Sequence, residues 1–252
     1  MEREIYQNPT VKEVIFQIKY SDLFSIEKNI GDFQMKIMDR FPISKFKVRR
    51  QFIFADLGPN MKIEELPDVA DQPNLAQKIW HFQSEKGIEV NVTINSLDIT
   101  SKYHKTYDIG DGEKFKDTIE FVVAKFLEIF PISIITRIGL RYIDECPIKE
   151  LKKEEFNKCY NTSFPLDRFD LQDVEGLESK TKVKKEDFYL VYIEKLMISS
   201  QKPVLILDFD GFAENIKANN YLAVTDDLHN LIHDEYERTI TDKLREYMRR
   251  GK

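Results

Sequence analysis

Along residues 134–144 apolar and polar positions alternate: Ile138, Leu140 and Tyr142 fall on one side, Arg137, Gly139 and Arg141 on the other. Successive side chains of a strand point to opposite faces, so this pattern predicts a half-buried strand. One face seeks a core, and the other presents two guanidinium groups flanking a gap over glycine. The same period recurs at 11–20, with Val14, Phe16, Ile18 and Tyr20 opposite Glu13, Gln17 and Lys19. Phe46, Val48, Phe52 and Phe54 alternate with Lys45, Lys47, Arg49 and Gln51, which predicts a strand with an apolar and a basic face. Stretches 79–82, 88–94 and 97–103 read as a meander, and 188–198 with 203–212 as a hairpin.

Elsewhere the period lengthens to that of a helix. Ile26, Ile30, Phe33, Ile37 and Phe41 form one stripe, with Ser21 or Asp22 placed as its cap and Pro42 as its stop. A second helix is expected over 114–130, a short one over 148–160, and a long terminal one over 225–249 capped by Thr225 and Asp226. Stretch 56–77 reads as a long loop, and 161–186 as irregular and charged.

These elements predict an α+β fold, an antiparallel sheet with helices packed on one face. The order strand, helix, strands, helix occurs in both 1–131 and 132–252, giving two α+β units. That order is similar to the duplicated, saddle-like fold of TATA-binding proteins, a likeness of architecture that carries no function by itself. One continuous domain without duplication is the competing reading.

Composition narrows the function. At 252 residues, 42% hydrophobic and 33% charged, the chain is a soluble globular one with enough length for a substantial core. A net charge of -6 argues against a general polyanion binder. The N-terminus lacks the basic-then-apolar order of a signal peptide, and no apolar run nears the roughly 18 residues that span a bilayer. The expected setting is therefore cytoplasmic, without membrane contact. Cys146 and Cys159 are too few for a disulfide framework and read as unpaired thiols.

Four sets of residues could carry chemistry. The gap at Gly139 between Arg137 and Arg141 could admit an anionic group held by two planar forks; the competing reading pairs these arginines with Asp208 and Asp210 on a neighbouring strand. Asp208 and Asp210 could instead hold a metal, since alternate positions on a strand aim both carboxylates one way. His229 and His233, one turn apart on the terminal helix with Glu237 one turn further, could chelate zinc, although the glutamate of a metalloprotease helix is missing between them; a polar stripe is the plainer reading. Lys45, Lys47 and Arg49, with Lys180, Lys182, Lys184 and Lys185 in a loop and Trp80, His81 and Phe82 as stacking groups, give a nucleic-acid reading against a solvated face. No phosphate loop, nucleophile elbow or dinucleotide fingerprint occurs.

Three stretches carry a resemblance: Tyr6-Gln7-Asn8-Pro9-Thr10-Val11-Lys12-Glu13-Val14-Ile15-Phe16, then Thr136-Arg137-Ile138-Gly139-Leu140-Arg141-Tyr142-Ile143-Asp144, then Leu228-His229 leading into Tyr236-Glu237-Arg238-Thr239-Ile240-Thr241-Asp242-Lys243-Leu244. Together they resemble a sporadically distributed prokaryotic family of uncharacterised proteins, in which Phe usually stands at the position of Tyr236. The resemblance implies a bacterial or archaeal cytoplasmic protein, with a patchy occurrence that fits defence-associated loci. It implies no activity, cofactor or catalytic residue.

The resulting expectation is a binding or interaction module, more readily non-enzymatic than enzymatic, that meets a protein partner or an anionic ligand on an open sheet face around Arg137, Gly139 and Arg141. A nucleic-acid binder and a metal-dependent enzyme are the alternatives. No cofactor is expected.

Overall fold

The computed structural model describes residues 4–50, 76–198 and 203–250. In chain order its elements are β1 (Val11–Lys19), α1 (Ile26–Ile37), β2 (Ile43–Arg50), β3 (Ala76–Gln83), β4 (Glu89–Val92), β5 (Ser96–Ser101) and α2 (Phe115–Ile129), followed by β6 (Ile134–Pro147), α3 (Lys153–Cys159), β7 (Gly176–Lys185), β8 (Phe188–Ile198), β9 (Pro203–Lys217), α4 (Tyr221–Thr239) and α5 (Asp242–Arg249). The class is α+β, as the periodicities predict.

All nine strands join one antiparallel sheet in the order β2-β3-β4-β5-β1-β6-β9-β8-β7. Outward from the β1–β6 seam, each half begins with its own first strand and continues with its own last. The second half has one strand fewer among the described residues, with α3 and the 160–175 connection following its first strand. The seam is itself a strand pair, so the two halves share a continuous sheet.

One face of the sheet holds the core. Phe16, Val90, Ile99 and Leu140 occupy neighbouring strands at one level, with Leu190 beyond Gly211 of β9, and all are buried under the helices. Phe33 of α1 meets Phe82 and Phe126 edge-on at 5.6 and 5.5 Å between ring centroids, which joins α1 and α2 to the sheet. In the second half α4 lies over β6 and β9. Gly211 permits this close crossing, because a Cβ there would stand 3.1 Å from Ile232 Cδ1. Among the described residues, no helix is long and apolar enough to cross a membrane.

Three local expectations change. Helix α1 starts at Ile26 with Ser25 at its cap position, not at Ser21 or Asp22, because the Leu23 amide is already held by the Ile94 carbonyl at 2.9 Å. Residues 176–185 are a strand rather than a loop: Lys180, Lys182 and Lys184 alternate along β7, which gains its order by pairing with β8. The terminal helix begins near Tyr221 and breaks at Ile240, where φ is -99 and ψ 153. Thr239, Ile240 and Thr241 are a β-branched run, weak in a helix. The break lets Ile240 bridge Tyr160, with Asn161 N–H on Thr239 O at 2.7 Å and Thr241 N–H on Cys159 O at 3.1 Å. The expected 56–77 loop and the apolar positions Phe52 and Phe54 lie outside the described residues, apart from the start of β3.

Candidate functional site

The sheet face away from the helices carries the expected chemistry. Strand register aligns Asp98, Gln17, Gly139, Phe212, Tyr189 and Lys184 across it at one level. At the neighbouring level Ile15, Arg141, Asp210, Val191 and Lys182 are cross-strand partners.

Arg137 does not leave the gap over Gly139 open. Its guanidinium lies across the glycine, so near that a Cβ at that position would stand 2.5 Å from Nη1. From there Nη2 donates to both carboxylate oxygens of Asp210 at 3.0 Å, Nη1 donates to Gln17 Oε1 at 3.1 Å, and the guanidinium carbon stands 4.5 Å from the centroid of the Phe212 ring. Gln17 in turn donates to Asp98. Arg141 makes its own fork on Asp208, with Nε to Oδ1 at 2.7 Å and Nη2 to Oδ2 at 2.5 Å. That hydrogen bond holds the Arg141 pKa above its ordinary value. The internal pairing between the two strands is thus formed, and the expected anion gap is filled by the protein's own arginine. Arg141 remains the more open of the two, its side chain 42% exposed against 21% for Arg137.

The four candidate metal ligands separate into two pairs. Asp208 and Asp210 sit on the open face in their arginine forks, whereas His229 and His233 lie on α4 beneath the opposite face. Alternation along β9 sends its aspartates away from α4, which packs on the other face. Among the described residues no group of three or more His, Cys, Asp or Glu side chains is arranged to hold a metal ion. His229 Nδ1 is 3.0 Å from the Tyr142 hydroxyl, and its ring stacks on Tyr107 with centroids 4.3 Å apart. Glu237, the third member of that helical series, receives Arg245 Nε and Nη2 at 3.0 and 2.7 Å.

The lysines, in contrast, share one face. Lys45 and Lys47 on β2 are exposed at one edge of the sheet, and Lys180, Lys182 and Lys184 on β7 are exposed at the other. Arg49 continues β2 opposite Gln77, but its side chain lies outside the described residues. Trp80 and Phe82 are not the stacking groups of this face, since alternation along β3 turns both toward the helices. His81 points to the open side but is buried, with Nδ1 2.8 Å from Asn91 Oδ1. The aromatic pair of the open face is Tyr189 and Phe212, stacked at 4.9 Å, with Lys182 Nζ 5.3 Å from the Tyr189 centroid. Over the first-half strands lies a basin of about 750 Å³ lined by Gln17, Lys47, Gln77, Asn91, Asp98 and Thr100 among others.

No protein-family model matches the chain, and neither curated proteins nor solved structures show significant similarity to it.

Sequence reasoning missed a second polar cluster, on the helix side of the sheet. Asp144 follows Leu140 and Tyr142 onto the core face of β6 and is 5% exposed. Burial raises its pKa to about 7, against the opposing effects of the Thr10 hydrogen bond and the Lys105 charge. Thr10 Oγ1 donates to Asp144 at 2.8 Å and lies 2.7 Å from the Tyr236 hydroxyl. A carboxyl on an apolar strand face was the signal available in the sequence. Three stretches far apart in the chain meet here, through Thr10, Tyr142 with Asp144, and His229 with Tyr236. Burial raises the pKa of both Cys146 and Cys159, which disfavours their thiolate forms.

Proposed function

We infer that the protein is a binding module that presents its open sheet face to a protein partner or an anionic ligand. The observation that carries this reading is the one-sided covering of the sheet: α1, α2 and α4 bury one face, while the other holds its arginines and aspartates in fixed forks. Such a lattice keeps long side chains in place before any partner arrives, which lowers the entropy cost of association. Arg141, paired yet 42% exposed, is the group best placed to be shared with a partner. The mirrored strand order about β1 and β6 supports reading 1–131 and 132–252 as duplicated units of a saddle like that of TATA-binding proteins. The cytoplasmic, prokaryotic and defence-associated setting belongs to the same reading and rests on the resemblance. Affinity capture with wild-type protein and Arg141→Ala, matched for folding by circular dichroism, tests it. A partner held by the wild type and lost by the folded variant supports the reading, and equal recovery by both sinks it.

A second reading, single-stranded nucleic acid across the same face, is favoured by the lysines on both edges and the Tyr189–Phe212 stack between them. Bases stack on aromatic rings while lysines track phosphates. Fluorescence anisotropy with a labelled oligonucleotide tests it: binding at about 50 mM salt that weakens steeply as salt rises is expected, with a shallower slope after Lys182→Ala and Lys184→Ala. An absence of binding at low salt excludes this reading.

A further inference from the structure

Where α4 crosses β6 and β9, on the side of the sheet opposite the arginine forks, a cavity of about 130 Å³ opens beneath the N-terminal arm. Its size is close to that of an engineered cavity of about 150 Å³ known to take benzene, so a single ring or a short alkyl chain fits. Val11, Phe209, Ile232 and Met248 form its apolar wall, and the rings of Tyr6, Tyr142 and Tyr236 face it. Its polar anchor is Asp144, whose Oδ1 accepts the Thr10 hydroxyl. Lys105 also lines the cavity, and its Nζ donates to the Val11 carbonyl at 2.9 Å.

A buried carboxylate with one hydroxyl donor has exchanged the hydration of an ion for much weaker support. A ligand N–H cation would supply charge-assisted hydrogen bonds to it. Aromatic faces also attract cations, and the apolar wall accepts hydrocarbon. A ligand anion would instead meet the carboxyl group itself. The geometry points to a binding site for a compact organic amine, with its ammonium on Asp144 and its hydrocarbon against Phe209, Ile232 and Met248.

Binding then requires the ionised carboxylate, and protons compete for it. Below neutrality affinity falls up to about tenfold per pH unit. Lys105, from the loop after β5, is the charge that faces Asp144, and Asp208 of β9 acts on it only through the sheet, from the open face. Burial raises the pKa values of Cys146 and Tyr236 and keeps both neutral in this range. Tyr142 on β6, and His229 and His233 on α4, line the same cavity, and histidines ordinarily change charge near neutrality. Asp144→Asn separates the carboxyl from those histidines.

The test is a titration of the full chain with n-butylamine and benzylamine, and with butyrate and benzoate as anionic counterparts, followed by calorimetry and by chemical-shift mapping. The expected result is saturable amine binding about tenfold tighter at pH 8 than at pH 6, shifts confined to the cavity residues, and loss of both the binding and its pH dependence in Asp144→Asn. Lys36→Ala, on the exposed side of α1 and remote from the cavity, should bind the amines as the wild type does. The proposal is overturned if the carboxylates saturate the cavity and the amines do not, if neither amine shifts the cavity residues at pH 8, or if Asp144→Asn binds the amines unchanged.

Discussion

Replacing Asp144 with asparagine should stabilise the protein more at high pH than at low pH. In the folded chain the carboxyl keeps its proton up to a pKa of about 7, far above the ordinary value of 3.8. The folded state therefore binds more protons than the unfolded one between those values, and stability falls as pH rises through that window. Integrating the two titrations from pH 5 to pH 8 gives a loss of about 2.5 kcal/mol, which the asparagine chain does not suffer. His104 works in the opposite sense. It is 2% exposed, and burial depresses its pKa from 6.5 to about 4. The unfolded state binds the extra proton here, so stability falls as pH drops from about 6.5 toward 4, and the same integration gives a gain of about 2 kcal/mol from pH 5 to pH 8. The two slopes nearly cancel in the wild type and are unmasked by removing either group. Urea denaturation at pH 5, 6.5 and 8, followed by the fluorescence of the single tryptophan, Trp80, measures each profile. The wild type should be nearly flat with respect to these two groups, while Asp144→Asn should rise with pH. In thermal melts the change in the difference between the two proteins corresponds to about 5–10 °C for a chain of this size. A difference that stays constant within about 0.5 kcal/mol from pH 5 to pH 8 would refute the idea that the folded protein holds this carboxyl protonated.

Gly139→Ala should drive the Arg137 guanidinium off its seat, since the new methyl group would stand 2.5 Å from Nη1. Loss of the bidentate bond to Asp210 should cost about 1–3 kcal/mol in urea denaturation, and unchanged stability together with an unmoved Arg137 in a crystal structure would contradict the account of the gap. Phe33 is fully buried between Phe82 and Phe126, so Phe33→Ala should cost about 3–5 kcal/mol. Phe46, on the core side of edge strand β2 but 56% exposed, should tolerate Phe46→Thr within about 0.5 kcal/mol, and a large loss there would show that its apolar side chain is covered in solution.

The faces of individual strands were legible because alternation is a local property. Leu140 and Arg141 had to point in opposite directions whatever surrounded them. The pairing of arginines with aspartates was also within reach, since both sets alternate on apolar strands. Its geometry was not. Arg137 reaches Asp210 across Gly139 only because β6 and β9 pair with a register that places Gly139 beside Phe212, which no local pattern specifies. The histidines lie apart from the aspartates for a related reason. A helical stripe shows which residues share a side, but not which face of the sheet the helix will cover.

The sequence by itself determined the α+β class, the two-faced strands, the apolar stripes of α1, α2 and α4, and the placement of Arg137, Arg141, Asp208 and Asp210 off the core face, because each follows from a period of two or of about 3.6 residues. Only the tertiary structure decided four other features. The break at Ile240 depends on a bridge to Tyr160, far away in the chain. Strand β7 takes its order from β8, and its lysines meet the face of Lys45 and Lys47 only when nine strands are laid side by side. Asp144 acquires its raised proton affinity from burial under α4 and the N-terminal arm, because desolvation depends on everything packed around a group and not on its neighbours in sequence.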